Sequence, residues 1–300
     1  MLYLGEIASF FTAICWSANA VMFAKAGRRV GSQTVNVTRI TVALLVMFLL
    51  HLTLVGTLFP VGAGTVRLVW LGLSGLIGFA LGDALLFEAY VLLGPRITVL
   101  VYTTWPVFAA LMAWGMLGQA MGLAKVCAML VTLGGIAMVV VEKSRDHAGQ
   151  ARPRRFALGL ALALGGAIGQ AVGFIFSKFG MAGDFSPISA NMIRVSAGAL
   201  ALWGWQICRG EVVPNLRKLK DTRAALLTGL GALFGPVLGV LLSLYAINHA
   251  HYLGVASTIM SLSPVMILPY AIFVEKERLG VLAVAGTAVA IGGAAAMFLI

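Results

Sequence analysis

The sequence predicts an all-α, polytopic membrane protein of ten transmembrane helices, built as a 5+5 inverted repeat. Three observations carry that prediction. Of the 300 residues 61% are hydrophobic and only 10% charged, with a mean hydropathy of +1.01, whereas a water-soluble domain has about a quarter of its residues charged. Cutting the chain at charges, prolines and glycine-rich turns leaves ten apolar stretches, each long enough for a hydrocarbon layer of ~30 Å. The polar and glycine punctuation of the first half then recurs in the same order in the second. Asn36-x-x-Arg39 returns as Asn191-x-x-Arg194, Gly78-x-x-x-Gly82 as Gly235-x-x-x-Gly239, Pro106-Val107 as Pro264-Val265, and Gly134-Gly135 as Gly292-Gly293. An odd number of spans per half delivers the chain to the opposite side of the bilayer, so the second copy enters inverted. Pairs of this kind build alternating-access sites near the midplane.

In the first half the stretches lie near residues 4–24, 34–56, 67–93, 97–117 and 122–141; in the second, near 156–178, 187–208, 223–248, 253–274 and 279–299. Residues 1–142 thus form one repeat, 143–155 a charged cytoplasmic linker and 156–300 the inverted repeat. The first run has no basic leader and is followed by Lys25, Arg28 and Arg29, so a span is expected rather than a cleaved signal. The second and seventh open on the Asn-x-x-Arg motif. The third carries Asp83 and Glu88 together with Gly72, Gly75, Gly78 and Gly82; the eighth repeats the glycines at Gly231, Gly235 and Gly239, flat faces on which helices approach closely. Pro106 and Pro264, in the fourth and ninth, remove a backbone donor, and a matched pair of kinks acting as hinges is expected. Lys and Arg concentrate in the odd-numbered loops, the even-numbered ones holding only Arg67, Lys125 and Lys178. The positive-inside rule therefore places both termini on the non-cytoplasmic side of a bacterial-type inner membrane.

Composition also excludes. The net charge of +11 reflects loop topology rather than a nucleic-acid partner. Cys15, Cys127 and Cys208 have no metal or redox spacing and are an odd number, so they are expected as small core residues rather than a disulfide framework. His51, His147, His249 and His251 form no buried ligand set and no hydrolase pairing, and no Gly-x-x-x-x-Gly-Lys-Ser/Thr occurs. No enzyme, no metal and no cofactor are expected. A channel would require a continuous polar stripe or charged rings, which isolated polar groups in an aromatic setting do not make.

Candidate substrate-binding residues follow from the cost of polarity in a span. Asp83 and Glu88 lie well inside the third, where a charge needs water, a partner or a proton. Asp83, Phe87 and Tyr90 share one face at i, i+4 and i+7, so an acid and rings can meet the amine and side chain of one ligand. Glu88 is rotated off that line. Trp16 and Asn19 share a face with Phe23 in the first span, and Gln170 and Phe174 one with Ser177 in the sixth; Tyr102 with Trp105, and Tyr245 with Asn248, repeat the combination of ring and polar group. Such groups suit a mostly apolar pocket, while Trp and Tyr near span ends also serve the interfacial belt. Arg39 and Arg194 sit one to two turns into spans that enter from opposite sides, each expected at a different mouth as a gate or a snorkelling anchor.

Taken over the whole chain, these marks resemble the drug/metabolite transporter superfamily, in particular its ten-helix EamA-type members. The residues carrying the resemblance are Trp16-Ser17-Ala18-Asn19 with Lys25, the two Asn-x-x-Arg motifs, Pro106 and Pro264, and Glu275-x-x-x-Leu279-Gly280. Gly118-Gln119 stands where such proteins usually have Gly-Glu, and Gly169-Gln170 replaces Trp16-Ser17 in the second copy. Within the family the chain is most similar to YddG-type exporters of aromatic amino acids. The resemblance implies a central cavity lined by spans one to four and six to nine, with the fifth and tenth as packing staples. The expected partners are a small-molecule substrate and the lipid bilayer, the expected state is a monomer, and one carboxylate inside a span fits proton-coupled and downhill transport alike. Export of multidrug-type cationic toxicants or nucleosides is the alternative.

Overall fold

The computed structural model describes residues 3–144, 153–273 and 280–299. Among these residues the chain is helical throughout, with no strand. The first repeat contains α1 (Leu4–Val30), α2 (Ser32–Val55), α3 (Thr65–Gly75), α4 (Asp83–Tyr102), α5 (Trp105–Leu117) and α6 (Leu123–Ser144). The second contains α7 (Pro153–Gly180), α8 (Pro187–Cys208), α9 (Val212–Lys218), α10 (Thr222–Ala232), α11 (Val240–His249), α12 (Leu253–Met260), α13 (Ser263–Met266), α14 (Leu268–Phe273) and α15 (Val281–Leu299). Five runs are long and apolar enough to cross a bilayer, Leu4–Val30, Ser32–Val55, Thr65–Ala89, Arg155–Gly180 and Thr222–His249, and four shorter apolar helices accompany them. Large apolar side chains such as Leu45, Leu49, Trp114, Leu200 and Leu226 lie exposed on the outside, as a lipid solvent allows and water does not.

The packing shows the duplication directly. α1 rests on α10, α11, α12 and α13, and its counterpart α7 rests on α3, α4 and α5. The remaining equivalents pair with one another: α2 with α8, and α6 with α15. Exchange of the halves leaves this pattern unchanged, which is a two-fold relation. Equivalent helices also run antiparallel. On α6 and α15, Gly135 faces Gly286 and Ala290 while Gly293 faces Ala128 and Thr132. On α2 and α8, His51 Nε2 meets Ser189 Oγ at 3.0 Å, Asn191 Nδ2 meets Met47 Sδ at 3.4 Å, and Trp203 Nε1 donates to Thr41 Oγ1 at 3.0 Å. Numbers rise on one helix as they fall on the other, so the repeat is inverted.

Both copies carry a device with no single-residue mark in the sequence. A π-helical turn, Leu76–Gly82, joins α3 to α4, and another, Leu233–Gly239, joins α10 to α11. The wider turn leaves the Gly-x-x-x-Gly backbones bare for neighbours, and π-turns inside helices frequently mark functional sites. Trp16, Asn19 and Phe23 of α1 fill the notches over Gly239, Gly235 and Gly231. In the mirror interface α7 instead brings Gly169 to Gly82 and Gly173 to Gly78, a seam of backbone against backbone.

Several expectations change. The fourth and ninth spans are broken rather than kinked: turns at Thr103–Thr104 and Ser261–Leu262 precede Pro106 and Pro264, which fall in the first turn of α5 and α13. There the missing N–H costs nothing, because a first-turn donor has no partner within the helix. The connection expected near 93–97 is helical, since α4 continues to Tyr102. Cys127 and Cys208 are exposed and only Cys15 is half-buried, so thiols expected in the core face outward. Glu275 and Leu279 lie outside the described residues. Gln119 accepts from the backbone N–H of Leu253 at 3.1 Å, satisfying an orphan donor at the start of α12.

Candidate functional site between the inverted halves

Arg39 and Arg194 each lie seven residues into α2 and α8, about 10 Å from the helix start at 1.5 Å per residue. Neither reaches an interface: Arg39 is 6% and Arg194 4% exposed. Asp83, placed by the end of the π-turn, is ion-paired and hydrogen-bonded with Arg39 through Nη2. Asn36, one turn before Arg39, accepts from its Nε at 3.0 Å. The guanidinium lies 5.6 Å from the Phe23 ring centre and 5.1 Å from that of Phe87, close enough for cation–π attraction. Acid, amide and two rings thus hold one cation in a largely buried site.

Around the second arginine the rings are present and the polar partners are not. Arg194 lies 4.9 Å from the Phe79 ring centre and 5.8 Å from that of Phe174, but its Nε and Nη1 have no hydrogen-bond partner among the described residues. Asn191, in the place of Asn36, turns away and donates its Nδ2 to the Pro236 carbonyl at 2.9 Å, leaving Oδ1 unpartnered.

Phe174 also belongs to an aromatic cluster. Its ring stands 6.3 Å from Trp16 and 5.3 Å from Trp105, with Trp16 and Trp105 6.3 Å apart. Three different spans supply the three rings, and Trp105 and Phe174 are fully buried. Asn19 lies one turn from Trp16, its amide against Gly235. Among the other sequence-level candidates, Phe87 joins the Arg39 site. Tyr102 is half-buried against the main core beside the break before α5, and Gln170 is half-buried next to the Gly169 seam. The last turns of α11 hold Tyr245, stacked on His249 at 3.9 Å, and Asn248, whose carbonyl accepts from Lys178 at 3.1 Å. The side chain of Tyr90 lies outside the described residues. Glu88 is exposed.

Sequence reasoning left out Phe23 and Phe79 as ligands of the arginines, and Asn36 and Asn191 as their neighbours. Extending the Asp83–Phe87 face back one turn reaches Phe79, and the recurrent Asn-x-x-Arg marked the amides. Nothing in the sequence signalled that the two amides would point differently.

Buried charge, rings from several spans and antiparallel equivalent helices define a polytopic helical transporter of the inverted-repeat kind. Residues 3–141 and 157–299 each match the EamA-like transporter family, and the chain belongs to that family. It is accordingly a multi-pass membrane transporter, of a family of transporters rather than enzymes. A solved crystal structure is similar over 100% of this chain and 98% of its own, with a TM-score of 0.72 at 18% identity; that likeness concerns the fold alone. No curated protein matches the sequence.

Proposed function

We propose that the protein exports small zwitterionic metabolites, aromatic or other bulky neutral amino acids, across a bacterial-type inner membrane by alternating access, with both termini on the non-cytoplasmic side. The observation that supports this reading best is the Trp16–Trp105–Phe174 cluster. It sits where α1, α5 and α7 meet, and its innermost ring carries the guanidinium of Arg194. Flat rings suit a flat side chain, and buried charge beside them suits a zwitterionic headgroup. Rocking of one half against the other about the two-fold would expose the cluster to each side in turn, with the breaks before α5 and α13 as hinges. The subtype closest to this reading is the YddG-type exporter.

Flux of tryptophan and phenylalanine into protein-loaded liposomes at two external pH values tests it. Trp16→Ala is expected to slow flux at least about tenfold, the equivalent of ~1.4 kcal/mol, and Asp83→Asn to do the same while flattening any pH dependence. Undiminished flux in both variants would remove the assignment.

A further inference from the structure

The geometry points to Arg194 and Asn191 as the headgroup site for the transported molecule, with its carboxylate on the Arg194 guanidinium and its ammonium on Asn191 Oδ1. The inference rests on the reading of the chain as an exporter of amino-acid-like solutes, and it assigns the recognition to α8 rather than to Asp83.

Charge is the first argument. Two guanidiniums and one carboxylate share the interior, and the described residues form only two ion pairs, Arg39–Asp83 and the peripheral Arg29–Asp221. Asp83 is committed to Arg39, so one positive charge is left over beside Arg194. A guanidinium does not shed its proton in a protein, and an unanswered buried charge is strongly unfavourable. The rings of Phe79 and Phe174 compensate in part, through their faces only. They accept no hydrogen bond in the guanidinium plane, where Nε and Nη1 stand open. A carboxylate supplies the missing negative charge and in-plane acceptors: it can bind one orphan donor together with Nη2 as a fork, though not Nε and Nη1 at once, since these lie on different edges of the guanidinium.

The second argument is independent of the first. Asn191 is fully buried, and because the Pro236 carbonyl can only accept, Nδ2 must be the atom that meets it. Oδ1 is thereby fixed as a buried acceptor with no donor. Residues three apart share a helix face, so α8 carries an orphan acceptor and two orphan donors within one turn of each other, the amide itself being held by the Pro236 carbonyl. An α-amino acid carries the complementary pair on one carbon. In the first repeat the same face is closed internally, with Asn36 Oδ1 bound to Arg39 Nε and Asp83 on Nη2. The protein answers its own polar groups in one copy and leaves them for a solute in the other.

The experiment is ligand-induced thermal stabilisation of the purified full chain, read as apparent affinity for tryptophan, tryptophan amide, tryptamine and indole-3-propionate. For the wild type, tryptophan is expected to bind best, with the two carboxylate-lacking probes at least about tenfold weaker and indole-3-propionate between. Equal binding of tryptamine and tryptophan overturns the assignment, and so does the absence of binding by every carboxylate. The exporter reading is decided separately: it falls only if liposomes move none of the neutral amino acids. In Arg194→Gln the preference for tryptophan over its amide is expected to collapse towards one, and in Arg194→Lys to be partly kept; a preference unchanged in Arg194→Gln overturns the assignment. The wild-type comparison among probes decides the matter even if neither variant folds.

Discussion

Arg39 and Arg194 occupy the same place in two copies of one fold, yet one is saturated and the other is open. Asn36 and Asp83 bind the first guanidinium; Asn191 and Val240 stand in the corresponding positions of the second copy, counted from Gly82 and Gly239, and bind nothing on Arg194. Both arginines keep two aromatic rings. The shared part of the design is therefore the ring cage around a buried cation, and the copies differ in whether an internal carboxylate answers it. Duplication gives a transporter its symmetric scaffold, and divergence at one residue, Asp83 against Val240, leaves the second arginine without the acid that the first one has. An exact repeat would offer either two closed sites or two open ones.

The sharpest way to break the comparison is to restore the missing acid. Val240 is 6% exposed at the start of α11, which packs on α8. Val240→Asp is expected to ion-pair with Arg194 as Asp83 does with Arg39. Tryptophan affinity and flux should then fall about a hundredfold or more, ~2.7 kcal/mol, because the solute must displace an internal carboxylate. The melting temperature should hold or rise, since a buried guanidinium gains its counterion. If the two arginines are not equivalent in environment, the same substitution buries an uncompensated carboxylate, and denaturation would show a loss of several kcal/mol instead.

A smaller effect tests how the second arginine is held. At Gly75 a Cβ would fall 2.0 Å from the Arg194 carbonyl oxygen, so α3 touches the backbone of α8 at that residue. The corresponding residue of the other copy is Ala232, which carries a Cβ without difficulty. Gly75→Ala must push the helices apart and is expected to destabilise by about 1–3 kcal/mol and to lower tryptophan affinity with it. Ala232→Gly should cost only about 0.5–1 kcal/mol, the usual price of helix entropy. Equal effects from the two substitutions would mean that the closer seam on the Arg194 side has no consequence.

These asymmetries bear on what a sequence can say. The fold was legible because a membrane imposes coarse rules: apolar length, loop charge and an odd span count leave few architectures. Recurrent motifs then aligned the halves, and two of the packing pairs, α2 with α8 and α6 with α15, join helices that those motifs make equivalent. Trp16, Trp105, Phe174, Asp83 and Arg39 were also legible, as polar or aromatic residues in apolar surroundings. What could not be read was orientation. Asn36 and Asn191 are the same residue in the same motif, yet one amide accepts from its arginine while the other donates to the Pro236 carbonyl of the neighbouring π-turn. The π-turns were hidden for a related reason. Their Gly-x-x-x-Gly spacing is equally that of an ordinary close-packed α-helix, and the extra residue per turn emerges only from the fit between helices.

The smallest expected effect concerns the two ends of the molecule, where the comparison continues in weaker form. At the end of α1, Arg29 Nε donates to Asp221 Oδ2 at 2.7 Å, joining the halves before α10. At the opposite end, Arg67 near the start of α3 donates to the Ala182 carbonyl at 3.1 Å beyond α7. One latch contains a titratable acid and the other contains none. The hydrogen bond from Arg29, and after it the Ala224 N–H, hold the Asp221 carboxyl below its ordinary value of 3.8. Because the folded state lowers this value, the latch contributes fully above the ordinary value and is lost as the pH falls through the folded one. The melting-temperature difference between wild type and Asp221→Asn should accordingly be small and constant near neutrality and shrink to nothing in acid below the ordinary carboxylate range. The difference between wild type and Arg67→Gln should not change over the same interval. Solvent exposure of Arg29 keeps the first effect small, so its sign matters more than its size: a difference that grew on acidification would show that Asp221 is not held by Arg29 in the folded protein.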